Sequence, residues 1–162
     1  MDYHQVVSQI KELLSKNNVW FETFEHEAVR TSEEAAKTRT GYSLEQGAKA
    51  MVIRVKNNNQ DKRFVMLVFP ANLKFDNNKV KQVVHVRDIR FATPEEINFL
   101  TKGIQIGGVP PFGNLFNIEV FADPKLFDHE KMVFNAGDRR YSIAMKTEDY
   151  KKIVNPIVEN II

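Results

Sequence analysis

Glycine and proline are concentrated in one stretch, residues 103–113, which reads Gly-Ile-Gln-Ile-Gly-Gly-Val-Pro-Pro-Phe-Gly. It holds four of the chain's seven glycines and two of its six prolines. Glycine permits a positive φ and lets another group approach the main chain closely, whereas proline fixes φ and removes a donor. Such a loop can aim its remaining N–H groups at one point, as a cradle for a carbonyl oxygen, carboxylate or phosphate. A tight connection between a helix and a strand explains the same composition, so the loop alone leaves both interpretations open.

Lys49 is the cation whose position suggests chemistry. It follows a short turn and directly precedes an apolar run that predicts a strand over residues 50–55. A lysine at the mouth of a strand can point into a cleft between a sheet and its loops. Most lysines are simply solvated, so this position by itself does not distinguish a functional side chain from a surface one.

Residue types and spacings exclude several other chemistries. The chain has no cysteine, which rules out a disulfide, a thiolate zinc site and a cysteine nucleophile. The four histidines are far apart in sequence, so we expect no metal and no cofactor. There is no Gly-x-Ser-x-Gly elbow of a serine hydrolase. Residues 41–49 depart from the spacing of a nucleotide-binding P-loop and lack the Ser or Thr that should follow its lysine.

Length and composition predict a single domain spanning residues 1–162. A chain of 162 residues can bury a real core, and contents of 43% hydrophobic and 27% charged residues are ordinary for a globular protein. The start of the chain lacks the features of a signal peptide, and no apolar run approaches membrane-spanning length, so we expect a cytoplasmic protein. The net charge of +2 argues against a protein that coats nucleic acid, although a local basic face is compatible with it.

The elements that must position the loop and Lys49 are helices and strands in irregular alternation. Capping-box patterns occur at Thr31–Glu34, at Ser43–Gln46, where a single turn is expected, and at Thr93–Glu96. The predicted helices cover 6–14, 31–37, 77–84, 93–103 and a final segment capped by Thr147. The predicted strands cover 19–24, 50–55, 63–69, 90–92, 117–121, 131–134 and 141–145, with a turn at 135–138. This order predicts an α+β fold with a mixed, partly barrel-like β-sheet and interspersed helices.

Taken together, these pieces resemble the YbaK and prolyl-tRNA editing domain family, free-standing relatives of the editing insertion in bacterial prolyl-tRNA synthetase. The resemblance covers about residues 20–150 and depends most on Lys49 combined with the Gly-Gly-Val-Pro-Pro-Phe-Gly loop at 107–113. The other matching residues are His26, Val29, Thr31, Glu33, Glu34, Ala36, Gln46, Ala48, Thr93 to Glu96, Phe121, Asp123, Leu126, Ala136 and Gly137.

The resemblance implies the fold of that family and a deacylase that hydrolyses the ester between a wrong amino acid and the 3′ end of a tRNA. It implies that Lys49 is the key functional lysine, which holds the terminal adenosine or steadies the carbonyl. Backbone N–H groups of Gly107, Gly108 and Gly113 are the expected cradle for the oxyanion. The expected substrate-binding residues are His26, Val29, Thr31, Pro110, Phe112, Asn135 and Gly137. The ribose 2′-hydroxyl would help to activate the water, since no protein base stands out.

Small amino acids (Ala, Ser, Thr and Cys) are the expected substrate class, because a hydrophobic pocket separates near-isosteres poorly and synthetases mischarge them. Residues 37–42 match no pattern for one substrate, and Asn135 leaves the specificity open. The expected partner is the tRNA 3′ end, with an aminoacyl-tRNA synthetase as a second candidate and no membrane. The alternative is a non-catalytic module that docks a tRNA end or a synthetase. Lys49 and the intact glycine loop favour the enzyme.

Overall fold

The computed structural model describes residues 2–28 and 31–162, and within them it contains five α-helices and eight β-strands. The helices are α1 (Gln5–Lys16), α2 (Ser32–Thr38), α3 (Asn77–Val84), α4 (Pro94–Thr101) and α5 (Thr147–Val154). The strands are β1 (Phe21–Glu25), β2 (Ala48–Lys56), β3 (Arg63–Pro70), β4 (Asp88–Phe91), β5 (Glu119–Ala122), β6 (Lys131–Asp138), β7 (Tyr141–Lys146) and β8 (Ile157–Val158). Across these residues, no helix has the length and apolar character needed to cross a membrane.

The strands form two sheets. One has three antiparallel strands in the order β1-β7-β6, and the other has five strands in the order β4-β2-β3-β5-β8. The larger sheet is mixed, since β5 runs parallel to both of its neighbours while β2 pairs antiparallel with β3 and β4. A bridge between Gly47 and Val133 connects the two sheets. The predicted α+β class with a mixed sheet is confirmed, whereas β8 has no counterpart in the sequence-based prediction.

The core lies on both faces of β3. Met66 and Val68 join the main hydrophobic cluster, which also receives side chains of β6 and β7 from the smaller sheet. Val65 and Leu67 point to the opposite face and pack in a second cluster with residues of α3. The alternation follows from the two-residue period of a strand. Both faces of this strand are therefore buried.

Local capping places two helix starts where the sequence predicts them. Thr31 accepts a hydrogen bond from the backbone N–H of Glu34 at 3.1 Å and thereby begins α2. Thr93 and Glu96 form a reciprocal capping box at the start of α4, with Pro94 as the first helical residue. Each cap satisfies N–H groups that the helix itself leaves unbonded.

Several boundaries differ from the prediction, and three of these differences involve contacts distant in sequence. β2 begins at Ala48, so Lys49 lies inside the strand, opposite Phe69. β6 continues through the predicted turn to Asp138, with an irregularity between Asn135 and Asp138. Thr147 is the first helical residue of α5 and not its cap. Its hydroxyl donates to the carbonyl of His129 at 2.7 Å.

Candidate active site

A cleft of about 560 Å³ lies along the edge of β2. The strand β4 pairs only with residues 53–56 of β2, so the first residues of β2 have no partner strand on that side. The wall around this opening includes Ala35 and Arg39 on one side, Lys49 to Val52 from β2, Phe91 and Ile97, the loop residues Ile106, Gly107 and Val109, and Asn135 and Arg139. The loop and Lys49, which are about 60 residues apart in sequence, therefore belong to one cavity.

The cleft is positively charged. Lys49, Arg39 and Arg139 line it, and no Asp or Glu occurs among the described residues of its wall. Lys49 is exposed and has no hydrogen bond or ion pair with any described residue. Arg139 donates to the side chain of Gln105 at 3.2 Å, within the glycine loop. Because the whole chain carries a net charge of only +2, this cleft concentrates positive charge on a nearly neutral protein.

Arg39 is a buried cation at the end of α2, with only 6% of its surface exposed. Its Nε donates to Ser142 Oγ at 3.0 Å, and its Nη2 donates to Asn135 Oδ1 at 2.9 Å. Burial lowers the pKa of Arg39 to about 10, which still leaves the guanidinium charged at neutral pH. Both of its acceptors are neutral, so no carboxylate among the described residues offsets the charge.

A chain of hydrogen bonds connects Arg39 to the glycine loop. Asn135 accepts from Arg39 and donates through Nδ2 to the carbonyl of Gly107 at 2.8 Å. On the other side, Ser142 Oγ lies 2.8 Å from Nε2 of His26. Nδ1 of His26 lies 2.8 Å from the carbonyl of Glu27, so that nitrogen carries the proton of a neutral imidazole and Nε2 is an acceptor. Nε2 of His26 and Oδ1 of Asn135, which is 3.3 Å from Ser142 Oγ, are thus alternative acceptors for the single hydroxyl proton of Ser142. The network fixes the loop to β6 and β7.

The glycine loop is held in place at both ends of its sequence. Gly103 and Gly107 have φ values of +108° and +89°, which other residue types rarely adopt. Near the other end, the hydroxyl of the fully buried Tyr150 donates to the carbonyl of Pro111 at 2.6 Å. The glycines therefore permit the path of the loop, and the core anchors it.

Four of the predicted site residues come together in the cleft: Lys49, Thr31, Gly107 and Asn135. Thr31 also caps α2, so its hydroxyl has a structural partner. The backbone N–H of Gly107 has no partner among the described residues, whereas its carbonyl is bound by Asn135.

Three of the other predicted residues, Phe112, Pro110 and His26, lie outside the cleft wall. Phe112 is fully buried and its ring packs 5.4 Å from that of Phe134, and Pro110 is also buried. His26 contacts Ser142 behind the wall. Val29 lies outside the described residues.

The remaining predicted glycines serve packing and turn formation. A Cβ at Gly113 would lie 2.5 Å from the carbonyl oxygen of Ile118, and a Cβ at Gly137 would overlap Val6 of α1. The N–H of Gly108 donates to the carbonyl of Gln105 at 2.9 Å, so a turn already uses the donor that the sequence-based prediction assigned to the oxyanion. Of the three cradle glycines, Gly107 alone lines the cleft in the described structure.

Sequence reasoning did not find Arg39 or Ser142. Arg39 stands in the segment 37–42, which matches no substrate pattern, and an arginine that follows a short helix is usually solvated. Ser142 reads as one more residue of a predicted strand. Their importance depends on partners about 100 residues away, which no local pattern reveals.

Comparison with known proteins gives the family. The sequence profile of the aminoacyl-tRNA editing domain matches residues 26–153. The chain is 35% identical over 151 residues to the multifunctional Ser/Thr-tRNA deacylase ProXp-y of Escherichia coli (strain K12), covering 91% of this chain and 87% of that protein. It is 30% identical over 119 residues to the uncharacterized protein YwhH of Bacillus subtilis (strain 168), covering 74% of this chain and 71% of that one.

Solved structures confirm the fold. A crystal structure described as a candidate trans-editing enzyme for prolyl-tRNA synthetase superposes with a TM-score of 0.81 at 20% identity, covering 99% of this chain and 98% of that chain. The hypothetical protein APE2540 superposes equally well, with a TM-score of 0.81 at 19% identity over 94% of this chain and 98% of that chain. The resemblance drawn from the sequence is thus confirmed, and the chain belongs to the aminoacyl-tRNA editing domain family.

Proposed function

We propose that this protein is a trans-editing deacylase that hydrolyses the ester of a mischarged small amino acid (Ala, Ser, Thr or Cys) at the 3′ end of a tRNA. The observation that carries the proposal is the cleft itself, which has both Lys49 and the glycine loop in its wall and contains three cations and no acid among its described residues. The named activity of the relative ProXp-y supports it. We further propose that residues 1–162 act as one editing domain in the cytoplasm, with a synthetase as an additional partner.

The cleft suits the end of a tRNA. Phosphates and ribose hydroxyls find donors in Lys49 and Arg139, and a cleft of one charge sign raises the local concentration of an anionic ligand. Two large apolar side chains of the wall, Phe91 and Ile106, are 59% and 55% exposed. An exposed aromatic face offers a stacking surface for the terminal base, since stacking tolerates any base.

The composition of the wall determines the proposed chemistry. The described wall contains no His, Asp or Glu, the groups that most often act as general base near neutral pH. The aminoacyl ester is already activated and requires an oriented water and a stabilised oxyanion. Lys49 and the N–H of Gly107 supply that stabilisation, and the neighbouring ribose 2′-hydroxyl assists the water. The water oxygen bonds to the carbonyl carbon, the bond from that carbon to ribose O3′ breaks, and a proton passes to O3′.

A non-catalytic binding module is the second candidate. The observation that favours it is the open edge of β2, because unpaired main-chain groups at a sheet edge can dock an extended peptide such as a synthetase segment. A pure docking module has no need for the unpaired side chain of Lys49 and the unbonded N–H of Gly107 in one cleft of the described structure. The cleft therefore favours the enzyme.

Deacylation assays distinguish the two. One tRNA charged in turn with Ala, Ser, Thr, Cys or Pro is incubated with wild type, with Lys49→Ala and with Lys56→Ala as the matched control. Lys56 lies at the other end of β2 and is outside the cleft wall. We expect wild type and Lys56→Ala to hydrolyse one or more small substrates alike. We expect Lys49→Ala to lose about 10²- to 10³-fold in kcat, as when one oxyanion donor is removed.

Two results would contradict parts of the proposal. Unchanged rates in Lys49→Ala would remove that lysine from the mechanism. Binding of tRNA without hydrolysis of any substrate would favour the docking module instead.

A further inference from the structure

One nitrogen of the Arg39 guanidinium has no partner among the described residues. Nε and Nη2 donate to Ser142 and Asn135, whereas Nη1 makes no hydrogen bond to that part of the chain. Within the same residues, Nε of Arg54 is the sole buried side-chain nitrogen or oxygen without a partner, so Nη1 of Arg39 is not sealed in the core. It lies beside Gly47, another residue of the cleft wall. A charged donor therefore reaches the cleft from a side chain that is otherwise buried.

We infer that Nη1 of Arg39 recognises the side-chain hydroxyl of the amino acid to be removed, so that the enzyme selects Ser and Thr esters over those of Ala. The inference depends on the proposed deacylase function and narrows its substrate class. A hydroxyl oxygen accepts the hydrogen bond, a methyl group offers no acceptor, and a thiol is a weak one. The Ser/Thr activity named for ProXp-y agrees with this chemistry.

Two of the five N–H groups of Arg39 already have acceptors. Nε and Nη2 donate to Ser142 and Asn135, so the edge that these two nitrogens form is occupied. The N–H groups of Nη1 are left for the ligand, and one of them suffices for a hydroxyl oxygen. A carboxylate binds arginine best through a fork of two parallel N–H groups, so an Asp ester is the competing ligand that the test includes.

Asn135 and Ser142 are positioning residues for this contact. They hold the guanidinium from the side away from Nη1, and both belong to neighbouring strands of one sheet, where they lie directly opposite each other. An ester whose amino acid lacks a hydroxyl shields Nη1 from water but gives it no acceptor. A buried donor without an acceptor lowers the affinity for the wrong substrate more than a missing methylene group does.

The test measures specificity within each variant. One tRNA is charged with Ser, Ala, Thr, Val or Asp, and kcat/KM is determined for wild type, Arg39→Gln, Arg39→Lys and, as the matched control, Arg139→Gln. We expect the Ser/Ala ratio to fall about 10- to 100-fold in both Arg39 variants, which corresponds to one hydrogen bond from a charged donor. In Arg139→Gln we expect both rates to change together. The ratio is independent of the folded fraction, because misfolding lowers both rates equally.

Wild type alone gives a second readout that needs no variant. Thr and Val side chains are nearly isosteric, so a preference for Thr of at least about tenfold is expected from the hydroxyl contact. Active wild-type enzyme with no Thr preference, or an unchanged Ser/Ala ratio in folded Arg39 variants, would overturn the inference and leave the deacylase function intact. Preference for the Asp ester would assign Arg39 to a carboxylate and would also overturn it. Failure of wild type on every ester would instead reject the proposed function.

Discussion

Asn135 is the connection between Arg39 and the glycine loop, and its replacement by alanine should loosen both. The side chain accepts from Arg39 Nη2 at 2.9 Å and donates to the carbonyl of Gly107 at 2.8 Å. Loss of a hydrogen bond to a charged group costs about 1.5–3 kcal/mol, and loss of a neutral one about 0.5–1.5 kcal/mol. Asn135 is half-buried, so water replaces part of what is removed and the lower ends of both ranges apply. We therefore expect Asn135→Ala to lower the free energy of unfolding by about 2 kcal/mol.

Thermal and urea unfolding measure this effect. For a domain of this size, about 2 kcal/mol corresponds to a decrease in Tm of roughly 4–8 °C. Asn135→Asp is the matched variant, because its carboxylate still accepts from Arg39 but cannot donate to Gly107. We expect it to lose less stability than Asn135→Ala and to lose deacylation as well, since the loop is no longer held to β6.

The opposite outcome would refute the reasoning. The free energy of unfolding of Asn135→Ala could lie within about 0.5 kcal/mol of the wild-type value, which is the range of an ordinary surface substitution. That result would mean that water fully replaces both hydrogen bonds. If Asn135→Asp is stable and fully active, the bond to Gly107 does not position the loop.

Two further predictions concern the supports of the cleft. Tyr150→Phe leaves the buried carbonyl of Pro111 without its donor, so we expect a loss of about 1–3 kcal/mol, and an unchanged Tm would contradict the anchoring of the loop. Glu96 accepts from Arg90 and from the N–H of Thr93, which lowers the pKa of its carboxyl from an ordinary 4.5 to about 2. Because this folded-state pKa is depressed, the ionised group stabilises the fold above pH 4.5, and this contribution is lost as the pH falls from 4.5 to about 2. In Glu96→Gln the urea midpoint should fall less between pH 4.5 and about 2 than it does in wild type. If the midpoint of the variant falls as steeply as that of wild type, another group causes the loss of stability.

The sequence by itself determined those features that depend only on residues close together in the chain, namely helix caps and the burial pattern of a strand. The Thr31 cap of α2 and the capping box at Thr93–Glu96 bring together groups three residues apart, so their outcome needs no knowledge of the rest of the chain. The two-sided burial of β3 follows in the same way from its continuous apolar run. Lys49 and the glycine loop stood out by residue type, and this sufficed to recognise the family.

Only the tertiary structure decided which residues share the cleft. Arg39 is 103 residues from Ser142 and 96 from Asn135, so its burial depends on how α2 meets the β6–β7 pair. The glycine loop shows the same division. Its composition predicted a rigid segment, but the contact with Ile118 is what assigns Gly113 to packing. The contact with Val6 of α1 does the same for Gly137, which lies in β6. A local pattern fixes backbone conformation over a few residues, whereas the direction and partners of a side chain depend on sheet register and on elements that are distant in sequence.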